Sequence, residues 1–562
     1  MSRTPRFGCL GRLFLTRLAD NELLAADAES HQSAVTALAL LGAMSFVIAL
    51  CLVGREALAG PEFARLRAAT ILSDGSLLVS ITMLAVVLAT ALAWDGLYPD
   101  RRDAITLGVL PLTPRLMMQA RMLAIGLYIA AVTIAANIFT GPVVPLLGAI
   151  NAGWLGVLRS LFGWAVAIVA SAAAVLFAQI TLQGLLLAIL PYAAYQRLSA
   201  VLQFGAVTGA FVAFFMAPGA EQALHVPAAE GLRNPSWWFV GLYTYLRGGA
   251  PSLPPVYALF GAVAVPVLGV AALSLYSSLY ARLLHRVCEQ ADHLPSRSGW
   301  LQCALHTVLD RTLLRGLRER AVFYFLARTA IRNRRHRMLL ALTTALGFAW
   351  AGATIGRLAA RGWAGSLRPD ALLLGVPIEL AVLLVIGLKS TFSIPVDLPA
   401  NWALRLTERG TAGAVQQASI WFLWLAGVVP VSLLPLPLYI MLWGTTPAIL
   451  HCVYLLAGGA ALVELLMRGF VKMPFASAMQ PGQGNLRVKL GMWVALFTLT
   501  CWFLAVMEEA ALRSARGRIW GLGLSLGLWL LLAGLRSLRD RGHKLVFEEP
   551  RNQEFDLLRL HT

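Results

Sequence analysis

The segment Ser277–Arg337 reads SSLYARLLHRVCEQADHLPSRSGWLQCALHTVLDRTLLRGLRERAVFYFLARTAIRNRRHR and is the longest polar stretch of the chain. It carries twelve arginines against only four acidic residues, Glu289, Asp292, Asp310 and Glu319. Six apolar runs precede this segment and six follow it. The sequence therefore predicts two halves joined by a basic cytoplasmic linker.

The composition excludes a soluble globular protein. Of the 562 residues, 58% are hydrophobic and 13% are charged, and the mean hydropathy is +0.71. Soluble domains carry roughly 25% charged residues. The apolar runs are about 17–25 residues long, which is the length that crosses about 30 Å of hydrocarbon as a helix. We predict an all-α polytopic membrane protein with about twelve transmembrane helices in two six-helix halves.

The formal net charge of +18 comes from arginines that concentrate in the loops. Arginine-rich loops are typical of the cytoplasmic side of an inner-membrane protein. Because no DNA- or RNA-binding motif is present, we expect no nucleic acid partner. The six cysteines are scattered without a C-x-x-C pair, so we predict no metal site, disulfide framework or cofactor.

Twelve membrane spans are proposed from the apolar runs. They are Ala34–Val53, Leu77–Trp94, Met122–Phe139, Leu161–Leu182, Val201–Ala217 and Val256–Tyr276 in the first half, and Met338–Ile355, Ala371–Leu388, Ala418–Trp443, Pro447–Met467, Leu490–Met507 and Ile519–Leu535 in the second. The ninth run contains Pro430, Pro435 and Pro437, so a kinked or broken helix is expected there.

The spans divide the chain into five parts: residues 1–33, 34–276, 277–337, 338–535 and 536–562. Residues 1–33 lack the short apolar core and cleavage site of a signal peptide and alternate apolar residues with arginines. We predict an amphipathic leading helix there, lying on the cytoplasmic leaflet against anionic lipid. The bias of lysine and arginine among the loops places both termini in the cytoplasm.

Two further amphipathic stretches are predicted at the membrane surface. In the loop Pro218–Pro255, five aromatic residues are expected to form a belt at the level of the headgroups. They are Trp237, Trp238, Phe239, Tyr243 and Tyr245. In the linker, Ala321–Ile331 is expected to run along the leaflet into the seventh span, with Phe323, Phe325, Leu326 and Ile331 as its apolar face.

The same short string occurs at matching places in the two halves. Leu110, Thr113 and Arg115 form an L-x-L-T-x-R string between the second and third spans. The corresponding string between the eighth and ninth spans contains Leu404, Thr407 and Arg409. Each threonine can cap a following helix, so we predict a short helix at the cytoplasmic face in each half. Such a helix could contact a soluble partner, or it could be an ordinary interfacial turn.

This layout resembles the ABC-2 type permeases, the membrane subunits of bacterial ATP-driven exporters. The resemblance is carried by the six spans per half, the leading helix and short loop strings. These strings are Tyr98–Asp103 with Leu110–Thr113, Pro399–Trp402 with Leu404 and Arg405, and Pro474–Phe475 followed by Pro481–Gly482. The fusion of two halves in one chain departs from the usual six-span permease of that family.

The resemblance implies a permease of the bacterial inner membrane that forms the translocation pathway for an unknown substrate. Arg115 and Arg409 would then face a separate ABC ATPase subunit or the lipid phosphates. The chain contains no G-x-x-x-x-G-K-[ST] motif, so ATP would be bound and hydrolysed by another chain. We therefore do not expect this chain to be an enzyme itself.

A major-facilitator-like secondary transporter is the main alternative, and a non-transporting membrane scaffold is another. Secondary carriers use ionisable groups inside the membrane. Glu379, in the middle of the eighth span, is the intramembrane polar candidate, because Glu464 is expected to pair with Arg468 and both His451 and Asn137 look isolated.

A membrane enzyme is disfavoured because the only acidic cluster is Asp95, Asp100 and Asp103. Arg101 and Arg102 lie within this cluster, so the sequence predicts a local salt-bridged turn rather than a catalytic site.

Overall fold

The protein is an all-α multi-pass membrane protein, seen here in a computed structural model. The structure describes residues 3–19, 30–58, 61–99, 103, 106–107, 110–150, 152–215, 234–248, 253–289, 300–360, 368–394, 396, 412–476, 486–539 and 545. The chain folds as two compact units, Met1–Leu294 and Pro295–Thr562. The boundary falls inside the basic segment that the sequence analysis selected as the linker.

The described helices are numbered here in chain order. Those of the first unit are α1 Arg3–Ala19, α2 Ser30–Leu58, α3 Pro61–Leu92, α4 Trp94–Leu97, α5 Pro114–Asn137, α6 Val143–Gly148, α7 Gly153–Ile189, α8 Tyr192–Phe215, α9 Pro235–Arg247 and α10 Pro255–Glu289. Those of the second unit are α11 Trp300–Thr312, α12 Leu317–Arg332, α13 Arg334–Ala360, α14 Ala371–Thr391, α15 Ala412–Leu423, α16 Val429–Leu433, α17 Leu436–Trp443, α18 Thr445–Leu466, α19 Leu486–Leu512 and α20 Ala515–Arg539.

Eleven stretches of the described chain are helical, long enough and apolar enough to cross a membrane. They contain or overlap eleven of the twelve predicted spans. The remaining prediction, Leu490–Met507, lies within α19, which is helical but is not among the eleven. The side chains of residues 486–498, in the first half of α19, lie outside the described set.

The second span begins earlier than the sequence suggested. α3 starts at Pro61, whereas the prediction started at Leu77, after the polar residues Asp74 and Ser76. These residues do not end the helix, because the structure gives them partners. Arg55 of α2 donates to the buried Asp74 carboxylate at 3.1 Å and makes a second, shorter contact with it. A buried charge is tolerated in a helix when it is paired in this way.

The ninth span is broken, as its prolines predicted. α15 passes into a π-helical turn, Trp424–Val428, and then into α16. The helix is interrupted at Leu434 and Pro435, and α17 begins at Leu436. Trp424 donates its indole N–H to the carbonyl of Leu456 on α18 at 3.1 Å, which fixes the wide turn against its neighbour.

Three of the five aromatic residues near 240 are buried in protein, so the prediction of a headgroup belt is wrong for them. They lie on α9, and Trp237, Phe239 and Tyr243 are each 1% exposed. The Tyr243 ring packs edge-on against Trp164 of α7 at 5.1 Å, and its hydroxyl lies 2.9 Å from Ser160 Oγ. α9 packs between α7, α10 and α3, so Trp237, Phe239 and Tyr243 belong to the core of the first unit, whereas Tyr245 is 71% exposed.

The two units repeat several helix contacts. In the first unit α1 packs on the third span α5, α3 packs on α8, and α7 packs on α10. In the second unit α12 packs on α15, α14 packs on α19, and α18 packs on α20. Both units thus join the helix before the first span to the third, the second span to the fifth, and the fourth to the sixth. The first spans differ, because α2 packs on α5 whereas α13 packs on α14.

The two leading helices α1 and α12 are amphipathic, as predicted, and each turns apolar residues toward protein. On α1 the residues one turn apart, Leu10, Phe14 and Leu18, are buried. On α12 Phe323 and Leu326 are buried, whereas Ile331 is 70% exposed and is not on the face that packs against protein. The buried stripe of α12 instead continues through Val322 and Ala330 at helical spacing, which leaves Ile331 on the opposite side.

Candidate functional site

The L-x-L-T-x-R string of the first unit lies at the start of the third span. Thr113 is the N-cap of α5, its hydroxyl accepts the backbone N–H of Leu116 at 3.4 Å, and Pro114 occupies the first turn. Leu110, Thr113 and Arg115 are all exposed. The cap is confirmed. However, the predicted short separate helix is wrong, because the helix that Thr113 caps is the third span itself.

A buried carboxylate joins this region to the leading helix. Asp103 is 2% exposed and accepts hydrogen bonds from Arg17 of α1 and from Arg121 of α5. The Arg121 guanidinium also lies over the ring of Phe14, 4.6 Å from its centroid. We call Asp103, Arg17, Arg121 and Phe14 the clamp. It ties α1 and the third span to the chain between α3 and α5, residues 93–113, which we call the connecting segment.

The clamp gives Asp103 partners that the sequence did not suggest. The described partners of Asp103 are 86 and 18 residues away in sequence, on two other elements. Arg101 and Arg102, the predicted partners, lie outside the described residues, as does Asp100. Because these partners come from separate helices, the carboxylate holds tertiary structure, and the local salt-bridged turn stays a prediction.

Two tyrosines also hold the connecting segment. Tyr276 of α10 donates its hydroxyl to the carbonyl of Leu97 at 2.7 Å, and its ring lies 4.8 Å from that of Tyr98. Tyr98 in turn donates to the carbonyl of Ile180 on α7 at 3.1 Å. Burial raises the pKa of Tyr98 well above its usual range, so its hydroxyl remains a donor at neutral pH.

Hydrogen bonds from α7 add a further tie. Gln183 of α7 donates to the carbonyl of Trp94 at 2.9 Å, so the connecting segment is held by a side-chain amide as well as by the two tyrosines. The exposed string therefore projects from a segment that is bonded to α1, α5, α7 and α10.

The equivalent string of the second unit, Leu404, Thr407 and Arg409, lies outside the described residues. The surrounding framework is described. Phe323 of α12 packs on Phe422 of α15 with their ring centroids 6.1 Å apart, which is the counterpart of α1 on α5. Phe475, from one of the strings that carry the family resemblance, has a left-handed backbone with φ of 63°. Its N–H donates to the carbonyl of Phe392 at 3.0 Å and its carbonyl accepts from Val396 at 3.0 Å.

The intramembrane polar residues have more partners than the sequence suggested. His451 is not isolated, because its Nδ1 lies 2.7 Å from Glu508 Oε1 and both side chains are buried. Nor is Asn137, which donates to Thr82 Oγ1 at 2.9 Å.

Glu464 also has a different partner from the one predicted. Its carboxylate pairs at 2.8 Å with Arg536, one helix away on α20, instead of with Arg468 along its own helix. α18 ends at Leu466, so Arg468 lies beyond the helix. Its side chain therefore does not take the helical direction that would bring it to Glu464.

Glu379, the predicted intramembrane candidate, is half-buried in the middle of α14. It lies one turn after Gly375, where an added Cβ would be 3.6 Å from Ala505 Cβ of α19, and it interacts electrostatically with the Cys501 thiol on α19. It therefore faces a neighbouring helix of its own unit, which is a structural position as well as a candidate transport position.

No protein-family model, curated protein or solved structure matches this chain. What the fold and the site define directly is the class, a multi-pass helical membrane protein with repeated packing in two units. Within the described residues, the feature that most resembles a docking surface is the exposed string at the start of α5. The functional assignment consequently depends on these residues and on the family resemblance of the sequence.

Proposed function

We propose that this chain is the membrane-spanning permease subunit of an ATP-driven ABC-type exporter in the bacterial inner membrane. In this proposal both termini are cytoplasmic, the two halves form the translocation pathway, and a separate ATPase subunit binds at the string Leu110, Thr113 and Arg115. The observation that supports it best is that this exposed string begins a membrane span directly and is attached by the clamp to the leading helix.

The physical argument concerns how movement is passed on. A partner that pushes on Thr113 and Arg115 pushes on the first turn of α5, with no flexible linker between the contact and the span. Asp103 and the tyrosines bond the connecting segment to four helices, so the movement reaches them together. Packed helices with such links transmit rigid-body displacements and do not absorb them.

The charge of the site suits both proposed partners. Arg115 is exposed, and it makes no ion pair with any part of the chain that the structure describes. Arg12 on the exposed side of α1 is in the same situation. Exposed arginines can meet acidic residues of an ATPase or the phosphates of anionic lipid, because the guanidinium binds either group with two parallel hydrogen bonds.

A secondary transporter is the second candidate, and one observation favours it. The buried pair His451–Glu508 and the half-buried Glu379 supply ionisable groups within the second unit, of the kind that proton-coupled carriers use. The two candidates differ in what they need. A permease of the ABC type requires a partner ATPase at Arg115, whereas a carrier requires Glu379 or the His451–Glu508 pair and no partner.

Copurification from native membranes separates the candidates. The tagged full chain is purified in mild detergent, and the proteins that accompany it are quantified by mass spectrometry. We expect an ABC-type ATPase with the wild-type chain and a loss of at least tenfold with Arg115→Glu. The matched control is Arg159→Glu, an exposed arginine at the opposite end of the first unit.

An ATPase that is retained equally in Arg115→Glu would refute the docking site. The absence of any ATPase beside a folded, monodisperse chain would refute the permease assignment itself. In that case, loss of substrate transport in Glu379→Gln would support the carrier.

A further inference from the structure

The second unit contains an open groove of about 770 Å³ that the proposed function does not use. It lies beside α11 and α12, next to Val396. Ligand pockets in proteins commonly occupy about 300–1,000 Å³, so the groove is large enough for a small organic anion or a lipid headgroup. Six residues with polar groups contribute to its lining: His306, Tyr324, Arg328, Thr329, Arg332 and Asn333.

Two arginines give the groove its charge. Arg328 and Arg332 are one helical turn apart on α12, so their side chains share a face. Both are exposed, and neither has an ion pair or hydrogen bond with any residue that the structure describes. Two adjacent guanidinium groups without an anion repel each other, and an oxyanion between them removes that repulsion.

Among the residues that the structure describes, none of the groove lining is acidic, and Asp310, which contacts the lining residue Tyr324, is already bonded. Asp310 accepts the Tyr324 hydroxyl at 2.8 Å and lies 3.7 Å from Arg320 Nε. Burial and this hydrogen bond to Asp310 raise the pKa of Tyr324 to about 12, so the hydroxyl remains protonated and bonded at neutral pH. Asp310 is thereby held by groups other than the two groove arginines.

The rest of the lining is built for a ligand that is partly apolar. The His306 and Tyr324 rings lie 4.4 Å apart between their centroids, which holds the aromatic wall in place. Phe325 and Val396 add apolar surface, and Thr329 and Asn333 place polar groups on the arginine side. α12 leads through Asn333 directly into the membrane span of α13, so the groove opens where a span begins.

We propose that this groove binds a phosphate ester, with the phosphate between Arg328 and Arg332 and the attached group against Phe325 and Val396. The two sources of this chemistry are the headgroup of an anionic phospholipid and a soluble phosphate ester. The paired guanidinium groups suit phosphate, because two planar forks can satisfy several of its oxygens at once. The proposal does not depend on an ATPase partner, so it can stand or fall independently of the proposed function.

The test measures lipid binding by the purified full chain with native mass spectrometry in detergent. The probes are phosphatidylglycerol, which is anionic, and phosphatidylcholine as the zwitterionic reference. The groove variant is Arg328→Gln with Arg332→Gln. The matched control is Arg311→Gln with Arg315→Gln, which removes the same charge from two exposed arginines outside the groove.

For the wild type and the control we expect phosphatidylglycerol to bind with affinities within twofold of each other. For the groove variant we expect at least a tenfold weaker affinity. A third variant, Arg328→Lys with Arg332→Lys, keeps the charge and loses the forks, so an intermediate affinity is expected. If the variant with two glutamines fails to fold, the affinity of this lysine variant is compared with the wild type instead.

A competition identifies the source of the phosphate. If glycerol 3-phosphate displaces the lipid from the wild type, the groove accepts soluble phosphate esters. If only the diacyl lipid binds, the groove is a headgroup site. Equal loss of binding in the groove and control variants would overturn the proposal, since it would show an effect of total charge alone. Unchanged binding in the groove variant would overturn it as well.

Discussion

The clamp predicts that Asp103→Asn loosens the docking of the leading helix α1. In the wild type, Asp103 and Arg121 are almost completely buried, with 3% and 5% of their side chains exposed, while Arg17 is 40% exposed. Removing one partner of a buried ion pair destabilises by about 3–5 kcal/mol, because the other charge is left without an anion. The pair with Arg17 adds less than about 1 kcal/mol, because solvent screens it.

The loss of the ion pair destabilises mainly the state in which α1 is docked. When α1 is docked, Phe14 covers Arg121, and when α1 leaves, the guanidinium regains water. Opposing this release is the burial of Leu10, Phe14 and Leu18, each worth about 1.5–3 kcal/mol. We therefore expect α1 to remain mostly docked in Asp103→Asn but to open about a hundredfold more often, which corresponds to about 2.8 kcal/mol at 1.4 kcal/mol per tenfold.

Hydrogen–deuterium exchange followed by mass spectrometry measures this opening directly, on peptides that cover residues 3–19. We expect exchange there to accelerate by about two orders of magnitude in Asp103→Asn, since amide protection reports the local opening equilibrium. The control is Arg12→Gln on the same helix, an exposed arginine that takes no part in the clamp. Exchange of α1 within threefold of wild type in Asp103→Asn would refute the clamp.

Two further predictions concern the second unit. Gly459→Ala should destabilise it by about 1–3 kcal/mol through overpacking, because a Cβ there would lie 2.8 Å from Val428 Cγ2. The control Gly458→Ala has open space at its Cβ and should change the free energy of unfolding by less than half as much. Equal effects of the two substitutions would contradict this packing. For the buried pair, a double-mutant cycle with Glu508→Gln and His451→Asn should give a coupling energy of about 1–3 kcal/mol in denaturant unfolding, and strict additivity would contradict a direct interaction.

Hydropathy alone was enough to predict the fold class and most spans. Long apolar runs leave a chain few alternatives in a bilayer, because every backbone polar group must be satisfied within a helix. The broken ninth span was also predictable, because Pro430 and Pro435 remove backbone donors. In the structure this span is divided into α15, the π-helical turn and α16. The start of α3 was not, because Asp74 reads as polar while its partner Arg55 lies on another helix.

The candidate site was predicted in its exposed part and missed in its buried part. The cap at Thr113 follows from local chemistry, so the residue types alone were sufficient. The clamp depends on Arg17, which is 86 residues from Asp103, and no local pattern encodes a contact at that distance. One signal was available: Arg121 lies within an apolar helix, and a charge in that position requires a buried partner.

The aromatic residues of α9 show a second limit of sequence reasoning. Trp237 and Tyr243 are residue types that favour membrane interfaces and also protein cores, and composition does not distinguish the two. The structure assigns them to the core through neighbours on α7, notably Trp164 and Ser160. Helical spacing in the sequence could have shown that α9 has an apolar face. It could not have shown whether protein or lipid packs against that face.

The most direct test of the central claim is photo-crosslinking at position 110 in the native host, which keeps Arg115 in place. A benzoylphenylalanine replaces Leu110, which is 48% exposed, and a second strain carries it in place of Trp154, which is 71% exposed at the opposite end of the first unit. We predict that illumination joins the chain to an ABC-type ATPase at position 110 and not at position 154. No ATPase crosslink at position 110, in a protein that remains folded and abundant, would contradict the docking of an ATPase at this string.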